Sequence, residues 1–104
     1  LNQNILTVIQ YTLDENASYV NSLWETQEDP YGGDVVNSYN DGPLDNGGQL
    51  GPFSELETSS PARALKAYES IKHIHRTYHF EGSPEALNTI AKKVFGTDLN
   101  TLEI

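Results

Sequence analysis

The stretch Ser83-Pro84-Glu85-Ala86-Leu87-Asn88-Thr89-Ile90-Ala91-Lys92-Lys93-Val94-Phe95-Gly96 decides the fold class, because it is the one segment with helical grammar from end to end. Ser83 can cap free amides, Pro84 suits the first helical position, and Glu85 complements the positive end of the dipole. Gly96 is a stop signal. Leu87, Ile90, Ala91, Val94 and Phe95 recur at helical spacing and form one stripe, as for a helix lying on a sheet, so a helix is expected over about 84–95.

Outward from that helix the signals turn to strands. Ser70 to Phe80 is the longest candidate; alternation puts Ile71, His73, His75, Thr77 and His79 on one face and Lys72, Ile74, Arg76, Tyr78 and Phe80 on the other. Asn4 to Thr12 is a β-rich run carrying Ile5, Leu6, Val8, Ile9 and Tyr11, and Asp14-Glu15-Asn16 closes it. Ser18 to Leu23 reads as a second strand, Val35 to Tyr39 as a short one inside a loop spanning 28–51, and Phe53 to Thr58 as a half-buried one before Ser59-Ser60-Pro61. Leu99 to Ile104 is expected to close the chain as an edge strand. The fold class is therefore mainly β and antiparallel, a single domain over 1–104 with one C-terminal α-helix.

The chain has 104 residues and a formal charge of −9, from 6 Lys and Arg against 15 Asp and Glu. Nucleic-acid partners need clustered cations that this balance does not supply. Apolar runs stop at two or three residues, against about 20 for a bilayer span, so no membrane partner is expected. Leu, Ile, Val and Phe number 25, enough for a modest core. With no Cys there is no disulfide or thiolate chemistry, and the chain reads as soluble with its compartment left open, a periplasmic or secreted parent included. No Met is present and the chain starts at Leu1, which reads as a piece of a longer protein.

Chemistry concentrates between Trp24 and Asp41. Trp24, Glu25, Gln27, Asp29, Tyr31, Asp34, Asn37, Tyr39, Asn40 and Asp41 stand close together with little aliphatic material between them. Aromatic faces cover the C–H face of a pyranose while carboxylates and amides satisfy its hydroxyls, so this mixture suits a sugar. The same residues also suit an Asx-rich loop anchored by its aromatics, or a calcium site on Asp29, Asp34 and Asp41 that lacks EF-hand spacing. His73 and His75 are neighbours on one strand face and two such imidazoles can ligate zinc, but His79 lies about 13 Å beyond His75 at the rise of an extended strand, and a sheet surface carrying half-solvated histidines is expected instead. No metal or cofactor is expected. Glu55 and Glu57 share a face and would perturb each other's titration. Coming from one strand, they cannot flank a glycosidic bond, so a solvated face or an ion pair with Arg63, Lys66 or Arg76 is expected instead.

Leu23-Trp24-Glu25-Thr26-Gln27-Glu28-Asp29-Pro30 resembles the Glu-Thr-Gln-x-x-Pro segment of aldose 1-epimerases, the galactose mutarotases. About forty residues on, Leu65-Lys66-Ala67-Tyr68-Glu69-Ser70-Ile71-Lys72-His73 resembles that family's closing Leu-x-Pro-Gly-Glu-x-x-x-His, with Ala67-Tyr68 in place of Pro-Gly. Tyr19 to Pro61 is similar to a mutarotase-like bacterial family of the Bacteroidetes type. The resemblance implies the C-terminal portion of a large β-supersandwich and a carbohydrate partner. It also implies that Glu25 is the general base taking the anomeric proton, with Trp24, Gln27, Tyr31, Asp34, Asn37 and Tyr39 lining the sugar. The family's acid is a histidine upstream of the base, whereas His73, His75 and His79 all follow Glu25. Catalysis by these residues alone would be incomplete, and the open strand edges predict association with the rest of a parent chain or with a second copy. A non-catalytic carbohydrate-binding module is the alternative.

Overall fold

The computed structural model describes residues 4–23 and 25–102. It is mainly β with antiparallel sheets and one helix near the C-terminus. Four strands, β1 (Ile5–Tyr11), β2 (Val36–Asn40), β3 (Ser54–Thr58) and β4 (His75–Glu81), precede α1 (Pro84–Phe95) and a 3₁₀ turn at Leu99–Thr101. The chain divides into two units, Leu1–Gln10 with Arg76–Ile104, and Tyr11–His75.

In the first unit β1 pairs with β4. The Gly82 amide donates to the Asn4 carbonyl at 3.2 Å, and the Thr7 hydroxyl lies 3.0 Å from His79 Nδ1. One strand's numbers fall as the other's rise, which is antiparallel pairing. The Tyr78 hydroxyl donates to Gln10 Oε1 at 2.9 Å. β4 begins at His75, five residues later than the sequence pattern suggests.

The helix occupies residues 84–95 as the sequence dictates. Ser83 Oγ accepts from the Ala86 amide at 3.2 Å, and Gly96 turns left-handed at φ +68°, where its amide bonds the Lys92 carbonyl. Leu87 and Ala91 are buried, but Val94 and Phe95 stand exposed, so only the N-terminal half of the expected stripe is covered. The segment beyond Gly96 is a 3₁₀ turn and no edge strand over its described part; residues 103–104 lie outside the described residues. Asp98 decides this locally. Its Oδ1 accepts from the Asn100 amide and from Asn88 Nδ2, both at 3.0 Å, and its Oδ2 meets Lys92 Nζ at 2.7 Å. Asn88 Oδ1 then accepts from the Leu99 amide at 2.8 Å, so side chains take up backbone groups that a strand would have offered to a neighbour.

In the second unit β2 and β3 form an antiparallel ribbon, Val36 opposite Thr58 and Asn40 opposite Ser54. Ser18 to Leu23 is no strand. It carries one isolated parallel bridge, Tyr19 to Gly32, while the Gly33 amide donates to the Tyr19 carbonyl and the Asn21 amide to the Pro30 carbonyl. The backbones approach so closely that a Cβ at Gly33 would stand 2.3 Å from the Val20 carbonyl oxygen, a space only glycine leaves free. Tyr19 is buried here and its hydroxyl accepts from the Asp14 amide.

A sparse interior accompanies this architecture. Among the described residues the buried hydrophobics are Val8, Tyr19, Leu87 and Ala91, whereas Leu44, Leu50 and Tyr31 are among the large side chains left exposed. No helix among the described residues is long and apolar enough to cross a membrane.

Candidate functional site: the face of the β2–β3 ribbon

Cross-strand register assembles the site. Asn37 lies opposite Glu57 and Tyr39 opposite Glu55, and the Asp41 amide donating to the Phe53 carbonyl at 3.1 Å carries the register one step further. Directly opposed residues share a face, and residues two apart on one strand stay on it. One face therefore collects Asn37, Tyr39, Phe53, Glu55 and Glu57. These line a cleft of about 620 Å³, whose other wall includes Asn21, Ser22 and Leu23, with Leu50 at its edge. That volume falls within the range of about 300–1,000 Å³ usual for small-molecule sites.

The aromatic wall is held by a neighbouring carboxylate. Tyr39 and Phe53 rings stand 6.0 Å apart and tilted by 42°. The Tyr39 hydroxyl donates to Asp41 Oδ1 at 2.7 Å, and Asp41 Oδ2 accepts from the Gly51 amide at 2.8 Å. Asp41 is buried, and these donors pull its carboxyl below the usual range, the tyrosine hydroxyl contributing most. The same bond pushes the Tyr39 hydroxyl up. One carboxylate thus orients the ring and anchors the loop that brings Leu50 to the cleft.

The second wall is held by Gln27. Its Nε2 donates to the Leu23 carbonyl at 2.8 Å and to the Asn21 carbonyl at 3.2 Å, while Oε1 is buried without a partner among the described residues. Asn37 Nδ2 is directed by the Asp34 carbonyl at 3.3 Å and by Ser59 Oγ at 3.4 Å.

Of the residues expected at a sugar, Asn37 and Tyr39 line the cleft, and Gln27 and Asp34 brace it without lining it. Tyr31 is exposed, its amide bonded to Asp29 Oδ1, and it lies off the cleft. Glu25 is exposed, two residues beyond Leu23 and not among the lining residues. Trp24 lies outside the described residues. Asp29, Asp34 and Asp41 serve separate local roles, and no group of three or more His, Asp or Glu among the described residues is placed to hold a metal ion.

Glu55 and Glu57 stand on an exposed strand face, the solvated alternative of the two expected, and Glu57 perturbs the titration of Glu55 as their spacing suggests. Among the described residues Glu55 has Glu57, and not Arg63, Lys66 or Arg76, as its main electrostatic neighbour, and the hydrogen bond its protonated carboxyl makes to Glu57 lifts it above its usual value. A carboxylate two residues away on the same strand face disfavours the charged form of Glu55. Thr58, on the opposite face, places Oγ1 2.9 Å from His73 Nε2 and 2.8 Å from His75 Nδ1. A hydroxyl has one proton, so it donates to one imidazole and accepts from the other.

Comparison with known protein families matches residues 1–104 to a family of unknown function, DUF6786. The chain belongs to that family. No curated protein and no solved structure matches it. Membership in DUF6786 covers the whole ribbon and the helical unit together.

Proposed function

We propose that this member of DUF6786 handles carbohydrate, and that the β2–β3 face is where a sugar ring binds. The observation that carries this is the shared face of Asn37, Tyr39, Phe53, Glu55 and Glu57. A tilted aromatic pair offers an apolar surface to axial C–H groups, and an amide with two carboxyls offers directed partners for hydroxyls. Preorganisation supports the reading, because Asp41 fixes the Tyr39 ring before any ligand arrives.

The larger activity we propose resembles that of aldose 1-epimerases, anomer interconversion by general acid and base in a protein of which this chain is a β-sandwich portion. Support comes from the turn at Lys66–Glu69. The Glu69 amide donates to the Lys66 carbonyl at 3.1 Å, and Tyr68 adopts φ +68°, the left-handed value that the resembled Pro-Gly pair would favour at that place. Glu25, exposed beside Leu23, is the base on this reading.

The test is NMR of the intact protein. Hexoses should shift signals of Asn37, Tyr39 and Glu57, and Tyr39→Ala should abolish those shifts. Pure α anomers should interconvert faster than in buffer, and Glu25→Gln should remove that acceleration. Shifts without acceleration leave a binding module; no shift from any hexose sinks the carbohydrate reading.

A further inference from the structure

We propose that the sugar taken by this cleft is an amino sugar, its ammonium group seated between Glu55 and Glu57 while its ring covers Tyr39 and Phe53. The inference rests on the carbohydrate reading of the cleft and adds the charge class of the ligand.

Two carboxyls, Glu55 and Glu57, stand two residues apart on one strand face, and among the described residues no Lys, Arg or His lines the cleft. Across the ribbon they face Asn37 and Tyr39, neither of which is a cation. With no positive partner among the described lining residues, the neighbouring Glu57 raises the Glu55 carboxyl above its usual value. A ligand bearing an ammonium group removes that conflict. It donates to both carboxylates at once, and charge-assisted bonds of this kind are roughly twice as strong as neutral ones.

The aromatic pair is an independent feature, and it excludes a bare cation as the ligand. Tyr39 and Phe53 are 44% and 40% exposed respectively, and the Tyr39 ring is held in place by Asp41, so an apolar aromatic surface is presented and kept. Rings of this kind attract the C–H face of a pyranose and add cation–π attraction for a nearby ammonium. A small amine would leave that surface uncovered. Like charge also gives the site its rejection rule: a uronic acid would bring a third carboxylate beside Glu55 and Glu57, which costs affinity whatever its ring contributes.

The experiment compares glucosamine, glucose, N-acetylglucosamine, glucuronate and ethanolamine by titration calorimetry on the intact protein, with NMR reporting whether Tyr39 and Glu57 signals move. Glucosamine is expected to bind about tenfold tighter than glucose, an advantage of the size one charge-assisted pairing supplies. N-acetylation should erase the advantage, because the amide is uncharged, and glucuronate should bind more weakly than glucose. Glu55→Gln and Glu57→Gln, which keep side-chain shape, should each bring the glucosamine-to-glucose affinity ratio down from about tenfold to about one, and a ratio that stays near tenfold in both variants overturns the inference. Glucosamine binding no tighter than glucose overturns the inference and leaves the carbohydrate reading standing. Ethanolamine binding as tightly as glucosamine also overturns it, since the ring would then be unread. If none of the sugars moves the cleft signals, the carbohydrate reading falls first. The comparison on the unaltered protein decides the matter even where a variant fails to fold.

Discussion

The Tyr39 hydroxyl donates to Asp41 Oδ1 across 2.7 Å, joining a ring on the cleft face to a buried carboxylate that also holds the Gly51 amide. The bond favours ionised Asp41 and disfavours ionised Tyr39, so the two groups are displaced in opposite directions. Asp41→Ala should return the Tyr39 hydroxyl toward its ordinary value of 10.0 and release the loop carrying Leu50. Ring-carbon NMR of Tyr39 against pH checks the first effect, and amide exchange at Gly51 the second. An unchanged Tyr39 titration would show that Asp41 does not hold the ring.

Asp98 sets a pH window at the end of the helix. Its carboxyl is pulled to about 2, first by Lys92 and then by the Asn100 amide and the Asn88 side chain. A depressed acid contributes stability that is complete above its unfolded value, 3.8, and is lost as pH falls through the folded value. The junction of α1 with the 3₁₀ turn should therefore hold at pH 5 and loosen between about 4 and about 2. Amide exchange at Leu99 and Thr101 across that range is the measurement. Lys92→Met should move the loosening to higher pH, and an unmoved profile would remove Lys92 from the account.

How much of this was legible in the sequence depends on the range over which each feature is determined. The helix is local: Ser83, Pro84 and Gly96 act within a few residues of themselves, so its bounds were readable. The strands at Ile5, Val36 and Ser54 were readable too, because β-prone runs sat between strong turn signals. Ser18 to Leu23 misled because Tyr19 and Val20 have strand propensity, whereas Gly33 allows a backbone approach that occupies the Tyr19 and Asn21 groups. Leu99 to Ile104 misled because the capping competence of Asp98 outweighed a short apolar alternation. At the site, Asn37 and Tyr39 stand out by composition. Phe53 does not, and Glu55 and Glu57 read from sequence only as a solvated or ion-paired strand face, since the β2–β3 register is what puts them on the face of Tyr39. The signal available was alternation: Asn37, Tyr39 and Asp41 on one run match Phe53, Glu55 and Glu57 on the next.

Tyr68 occupies left-handed backbone at φ +68° with its side chain fully exposed, so strain is present without any packing to offset it. A non-glycine residue in that region costs about 1–2 kcal/mol, and glycine is free of the steric part. Tyr68→Gly should raise stability by about 1 kcal/mol once the added freedom of the unfolded chain is deducted. Tyr68→Val should lower it, because a β-branched side chain tolerates positive φ least. Urea midpoints of the three proteins decide. A loss of stability in the glycine variant would mean that the Tyr68 side chain makes a contact of its own in the intact protein.

Glu55 gives the opposite pH sense from Asp98. Its carboxyl is raised above 4.5, chiefly by the hydrogen bond that its protonated form donates to Glu57, then by desolvation and the neighbouring charge. A raised acid contributes stability that is complete below its unfolded value and is lost as pH rises through the folded value. The ribbon should therefore weaken as pH climbs from 4.5 through the Glu55 titration, where both carboxyls become charged on one face. Glu55→Gln keeps a donor toward Glu57 but cannot ionise, so its urea midpoint should stay flat across the interval in which the natural protein declines. The two proteins should agree at pH 4 and separate by pH 7, the variant being the more stable. Parallel profiles would show that the two carboxyls do not share a proton, and a decline in the variant alone would show that Glu57 has another partner.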